Sequence, residues 1–319
     1  GLRYERVEMD AGEVQPYAWT GMMNMADAMA AAASNARDRA REDDNLDLTA
    51  KAVWRPTDQI ALEFGAAQKT RSPNLYERYA WGRGSMAASM TNLTGDGAGY
   101  VGDIDLEPEV ARSLAATLDW TGPREDGPQL RLSAWASQVE DYIDAVRIGA
   151  LSDGLPLLQF ANAEAELYGL EASGSAPLAS SGLGDTRLTG SVSWSKGTNE
   201  DTGDNLYNIA PLKGLLALET TKGVWTHALE VELVDRKDTV NALRQERETG
   251  AYALVHARLS AELGRITLTG AIENLFDQTH DLPLGGLAFG DYIYAGRTGP
   301  LQQVRGPGRS VNLGLSVAF

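Results

Sequence analysis

All seven methionines of this 319-residue chain fall within its first 90 residues, and six of them gather in two short stretches. Met22, Met25 and Met29 are spaced i, i+3, i+7, and Met86 and Met90 are spaced i, i+4. On a helix each set shares one face. A thioether sulfur is a soft ligand that selects Cu(I) over magnesium or calcium. It also has no proton to gain, so such a site would tolerate acid. Met22, Met25, Met29, Met86 and Met90 are therefore candidate copper ligands. Asp27, Asp96 and Asp103 stand nearby in sequence and could add oxygen donors for Cu(II). The same spacing is also that of a packing stripe, because Met is an adaptable apolar filler. On residues alone both readings stay open.

Other chemistry is sparse. The chain has no cysteine, which removes disulfides, thiolate catalysis and Cys-ligated metal sites. Its three histidines, His227, His256 and His280, lie far in sequence from the methionines. None is accompanied by a Ser or carboxylate arrangement that would make a nucleophile–base–acid set. Neither an enzyme nor a resident cofactor is expected. Gly95–Gly102 superficially resembles a phosphate-binding loop but lacks the required Lys and a following helix; a tight external turn is expected there. The net charge of −16 argues against nucleic acid, whose phosphates need clustered Lys and Arg. The acidic runs Glu42–Asp44, Asp103–Glu109 and Glu200–Asp204 are expected in solvated loops, or alternatively around a cation-attracting mouth.

What must position these residues is read from periodicity. Residues 21–41 are rich in Ala and hold no β-branched residue or Pro, so a short helix is expected there. Elsewhere the pattern is two-residue alternation over nine to twelve residues, the length of a tilted membrane-spanning strand. Val311, Leu313, Leu315, Val317 and Phe319 alternate with Asn312, Gly314, Ser316 and Ala318. About twelve such strands are expected, near 1–9, 46–54, 59–69, 109–120, 129–142, 157–173, 185–197, 210–220, 225–236, 251–262, 265–275 and 309–319. No stretch approaches the run of about 18 apolar residues that a membrane helix needs. An antiparallel transmembrane β-barrel remains, since only alternate residues of its strands face lipid.

The connections support that reading. Arg55-Pro56-Thr57-Asp58, Thr221-Lys222-Gly223 and Gly264-Arg265 are short, whereas 10–45, 70–108, 199–207, 237–249 and 276–308 are long. Several loops beyond about 15 residues are uncommon in a compact soluble domain but usual on the outer side of a membrane barrel. Trp54, Trp120 and Trp225 border short turns, where aromatic rings meet the lipid–water interface. The chain ends on Phe319 at the close of an alternating strand, a form of signal that bacterial barrel-assembly machinery recognises.

Several motifs resemble TonB-dependent receptors of the Gram-negative outer membrane. Arg55-Pro56-Thr57-Asp58, then Arg71 and Ser72-Pro73-Asn74-Leu75-Tyr76-Glu77, look like that family's turn and its "R-x-P-x-L-x-E" element. Asp105-Leu106-Glu107-Pro108-Glu109, Tyr168-Gly169-Leu170-Glu171, Asn208-Ile209-Ala210-Pro211 and Ile272-Glu273-Asn274-Leu275-Phe276-Asp277 follow in family order. Met86 to Met90, followed by Gly95–Gly102, looks like the copper receptors among them. The resemblance implies an all-β fold: about 12 strands of a plugged barrel of about 22. Residues 1–319 would be its C-terminal part, without the plug and early strands, which also fits a chain that opens inside the strand-like run Leu2–Met9. It implies import of copper, or alternatively of a siderophore or cobalamin, less readily a passive porin. The implied partners are outer-membrane lipid, the TonB complex acting through the plug, and the metal ligand. Gly169, Asn274, Asp277 and Pro56 carry ordinary barrel-building roles on this reading: close packing, strand termination and a preset turn dihedral.

Overall fold

The computed structural model describes residues 1–14, 25–84, 93–124 and 126–318. In chain order the elements are β1 (Leu2–Met9), α1 (Met25–Asn35), β2 (Arg41–Thr57), β3 (Ile60–Arg71), α2 (Leu75–Tyr79), β4 (Gly99–Val101), β5 (Glu109–Thr121) and β6 (Gln129–Ala150). They continue as β7 (Pro156–Ser181), β8 (Gly184–Asn199), β9 (Lys213–Lys222), β10 (Trp225–Val234), β11 (Tyr252–Leu263), β12 (Ile266–Glu273), α3 (Phe289–Tyr294) and β13 (Ser310–Val317). All strands except β4 form one antiparallel path in which each pairs with its sequence neighbour. Such a ladder satisfies the interior backbone groups without water, the condition for crossing lipid. Among the described residues no helix is long and apolar enough to cross a membrane.

The two faces of the sheet differ as the alternation requires. One row of cross-strand partners reads Phe64, Ala116, Ala134, Leu170 and Trp194 over β3 and β5–β8. The row one residue away reads Glu63, Thr117, Ser133, Glu171 and Ser193. Farther along, Leu218, Leu229, Ala257, Ile272 and Val311 continue the apolar face across β9–β13. Leu313 in β13 is 87% exposed, and Val311 and Leu315 are exposed beside it. A soluble core would have buried them; an exposed apolar belt fits lipid. The opposite face carries polar pairs: Lys51–Glu63 at 2.7 Å, Arg131–Asp119 at 3.1 Å, Lys213–Glu232 at 3.2 Å and Arg258–Glu230 at 3.2 Å.

Turn chemistry sets one end of the sheet. Gly223 and Gly264 take φ of +60° and +69° in the β9–β10 and β11–β12 turns, a conformation that costs glycine little. Trp54 and Trp225 lie exposed near this end, with Trp120 half-buried. Gly169 faces Trp135 across the β6–β7 ladder, and a Cβ there would come within 2.8 Å of the indole; it is a packing glycine. Asn274 and Asp277 both have positive φ and receive the backbone N–H of Gln278 and Arg309 respectively, which ends β12. Pro56 departs from expectation. It lies inside β2, where the register shifts between Trp54 and Thr57. An irregular ladder tolerates its missing N–H.

Three further departures lie at the other end. β2 begins at Arg41, so Glu42–Asp44 belong to a strand rather than a solvated loop. β6 runs on to Ala150, beyond the span that periodicity suggested, and pairs there with the start of β7 at Pro156. The Gly95–Gly102 stretch is not simply a turn: Gly99–Val101 form β4, parallel to Leu157–Gln159 of β7 and buried. β4 covers an edge that β8 leaves free, because the β7–β8 pairing stops at Ala165. Covering such an edge removes unpaired backbone groups from exposure.

Candidate functional site

The five long connections leave the sheet at the same end, where the β6–β7 hairpin also projects. They pack on one another. Val101, Leu151, Leu155, Leu157, Leu287, Tyr292 and Leu301 form one buried cluster, drawn from the β3–β5 connection, the β6–β7 hairpin and the β12–β13 connection. Tyr100 stacks on Phe160 at 4.9 Å within a second cluster that also takes in Leu106, Ile143 and Leu158.

Buried charges tie these layers together. Arg244, from the β10–β11 connection, donates to the Tyr100 hydroxyl at 2.9 Å and to Asp144 at 2.8 Å. Asn199 donates to the other Asp144 oxygen at 2.9 Å. The Arg244 guanidinium also lies 5.4 Å from the ring centres of both Tyr100 and Tyr207. Arg78 makes a two-pronged pair with Asp43 at 2.7 and 2.9 Å and donates to the Leu106 carbonyl at 2.9 Å. A forked guanidinium–carboxylate pair fixes direction as well as distance. This pair is why Asp43 is buried and not a solvated charge.

The motif around Asn74 has a local role here. Asn74 accepts the N–H groups of Tyr76 and Glu77, and Glu77 returns the bond to the Asn74 N–H at 2.7 Å. This capping box starts α2. Arg71 then clasps Glu77 and Glu109, at 2.9 and 2.6 Å.

Electrostatics in the loops divide by burial. Burial raises the Asp96 carboxyl above the usual carboxylate value; its contacts with Tyr100 and the Ala98 N–H offset only part of this. Burial also pushes the Tyr207 phenol up to about 12. Asp105 is held below its ordinary value, first by the hydrogen bond from Arg41 and further by the charge of Arg37.

Of the five candidate ligands, Met25 and Met29 are described. Both lie on α1, within the expected helix, and are 54% and 68% exposed. The helix turns Ala31 inward instead. These two thioethers are therefore not filling a loop core. Met22, Met86 and Met90 lie outside the described residues. None of the expected oxygen donors is idle. Asp27 accepts the N–H groups of Arg83 and Gly84, Asp96 accepts the Ala98 N–H and the Tyr100 hydroxyl, and Asp103 accepts the Asp105 N–H. Among the described residues no three His, Asp or Glu side chains converge as a metal site. His280 is buried against Tyr252, 4.5 Å between rings, and His256 accepts from the Asn274 N–H at 3.3 Å.

Sequence reasoning did not find the anchors of α1. Asn35 exchanges two hydrogen bonds with Val14, at 2.8 and 2.7 Å. Arg39 donates to the carbonyls of Ala11, Ser34 and Asn35 at 2.7–3.0 Å, which caps the helix C-terminus as a cation should. The one available signal was an Arg a turn beyond an Ala-rich run.

The family description "TonB dependent receptor-like, beta-barrel" matches residues 1–275. The chain belongs to the TonB-dependent receptor family. Among solved structures, the copper transporter OprC superposes with a TM-score of 0.73 at 20% identity, over 88% of this chain and 40% of that one. A mutant ferric enterobactin receptor of Pseudomonas aeruginosa, in complex with enterobactin, gives 0.61 at 17%, over 88% and 42%. The FrpB iron transporter from Neisseria meningitidis gives 0.60 at 14%, over 88% and 40%. Likeness at these identities establishes the shared barrel fold. The chain spans about two fifths of the length of these structures. No curated protein sequence matches it. In TonB-dependent receptor terms, the described strands are a partial barrel and the packed connections are its loop layer.

Proposed function

We propose that this chain is the C-terminal barrel part of an outer-membrane receptor that imports copper, energised through the TonB complex. The observation that carries the proposal is the exposure of Met25 and Met29 on a helix pinned at its C-terminal end. Two soft sulfurs presented outward on a fixed platform suit Cu(I) capture, and they are not spent on packing. The fold likeness to the copper transporter OprC is consistent with this reading. Met22, Met86 and Met90 are proposed to complete the ligand set with Met25 and Met29. Uptake then follows the family pattern: cargo is held in the loops, and TonB acts on a plug that blocks the lumen.

The test is to replace Met22, Met25, Met29, Met86 and Met90 by Leu in the full-length protein. Leu keeps the volume and removes the sulfur. Cu(I) binding is expected to vanish while the barrel stays folded, as judged by its heat-dependent migration on gels. Retained affinity would remove copper from the account. A ferric chelate is the second reading, favoured by the likeness to the enterobactin receptor; it predicts TonB-dependent iron uptake that the five Leu replacements leave intact.

A further inference from the structure

One oxygen of the Asp27 carboxylate accepts two backbone N–H groups, from Arg83 at 2.8 Å and from Gly84 at 2.7 Å. The other oxygen lies so close that a Cβ on Gly84 would meet it at 2.3 Å. A side chain at Gly84 would have to push this carboxylate aside. Asp27 stands two residues from both Met25 and Met29, which places it about 200° around the helix from each. The methionines therefore face out while Asp27 faces the docking segment.

The helix needs such an anchor. It has 11 residues, a length that is marginal in isolation. Ala31 is its one fully buried residue, so apolar burial holds it weakly. A cavity of about 130 Å³ remains between Ala30, Ala33 and Arg37 on one side and Tyr79, Trp81 and Val101 on the other. Polar contacts must define its position. Asn35 and Arg39 hold the C-terminal end against residues 11–14, the chain that leads into the same connection. Asp27 reaches the other long connection.

We infer that Asp27 is a positioning residue, which clamps α1 to the Arg83–Gly84 corner and thereby sets where Met25 and Met29 stand relative to the second long connection. The inference rests on the copper reading above. Asp27 acts through the backbone of another segment: one of its carboxylate oxygens receives both N–H groups. The second connection is the one whose sequence continues to Met86 and Met90, so both methionine-bearing connections meet at this clamp.

Two measurements test it in the full-length protein in bilayers. Spin labels on Ala32→Cys and Arg83→Cys report the distance between helix and corner. Competition with a chromogenic Cu(I) chelator reports affinity. The unsubstituted clamp is expected to give one narrow distance. Asp27→Ala should broaden it and weaken Cu(I) binding roughly tenfold to a hundredfold, the usual effect of losing a group that orients ligands. Asp27→Asn keeps an acceptor oxygen and should restore both readouts, which a defect in folding or in direct ligation would not do. A distance that stays narrow in Asp27→Ala overturns the clamp. A broadened distance with unchanged affinity overturns its role in copper capture. If the protein with native Asp27 binds no Cu(I), the copper reading itself falls, and the distance still decides whether the clamp exists.

Discussion

Arg244 and Tyr100 stand 144 residues apart in sequence, yet guanidinium and phenol meet at 2.9 Å inside the loop layer. The contact is one side of a junction in which the same arginine also pairs with Asp144 and covers Tyr207. The β3–β5, β8–β9 and β10–β11 connections and the β6 strand thus share a single buried cation. Such a junction holds long loops as one layer, which otherwise would sample many conformations.

Removing that cation should loosen the layer at a distance from the substitution. Arg244→Met leaves the Asp144 carboxylate buried and without its cation. Breaking a buried pair in this way costs about 3–5 kcal/mol. Amide hydrogen exchange over 98–106 is expected to accelerate by roughly a hundredfold to a few thousandfold, with the strands of the belt unaffected. Arg244→Lys should not restore protection, because an ammonium cannot serve the tyrosine and the carboxylate with the same fork. Unchanged exchange in Arg244→Met would show that the apolar clusters alone hold the loops.

Acid should act on two parts of the loop layer with opposite sign. The Asp96 carboxyl is raised by burial. Its contribution to stability is complete below the unfolded carboxylate value of about 3.9 and is lost as pH rises through its higher folded value. Asp105 is lowered by Arg41 and Arg37. Its contribution is present above about 3.9 and is lost as pH falls through its lower folded value. As pH falls toward the unfolded carboxylate value of about 3.9, protection over 96–101 should therefore increase. The Arg37 and Arg41 contacts to Asp105 should open only in stronger acid. Exchange followed against pH checks both, and Asp96→Asn should flatten the first change alone.

Charge placed on the apolar belt should be tolerated on one face only. Leu313 lies mid-strand in β13 opposite Gly270, and its neighbour Asn312 pairs with Ala271 on the other face. An arginine facing the bilayer midplane costs about 2–4 kcal/mol, whereas the opposite face admits polar groups. Leu313→Arg is expected to lower the urea midpoint of the refolded barrel and to slow its assembly. Asn312→Arg should leave both nearly unchanged. Equal effects would mean that the two faces share one environment.

The sequence alone determined the sheet and its end-to-end polarity. Leu313 had to be apolar and Asn312 free to be polar, because each strand meets lipid on one side only; that constraint repeats every second residue and is readable locally. Gly223 and Gly264 marked turns for an equally local reason, a backbone conformation that few other residues accept. The Ala-rich run around Met25 and Met29 announced a helix through intrinsic propensity. Tertiary structure alone decided how the loops are held. Asp43 reads as one of a run of exposed acids until Arg78, 35 residues away, closes on it. β4 has no strand signature of its own and exists because β7 offers an unpaired edge. Asp27 reads as an ordinary acid near a helix start until Arg83 and Gly84 arrive from 56 and 57 residues on. Periodicity records what a residue needs from its surroundings on one face. It cannot record which distant residue supplies it, and in this loop layer the charges, the edges and the helix anchors all depend on such distant partners.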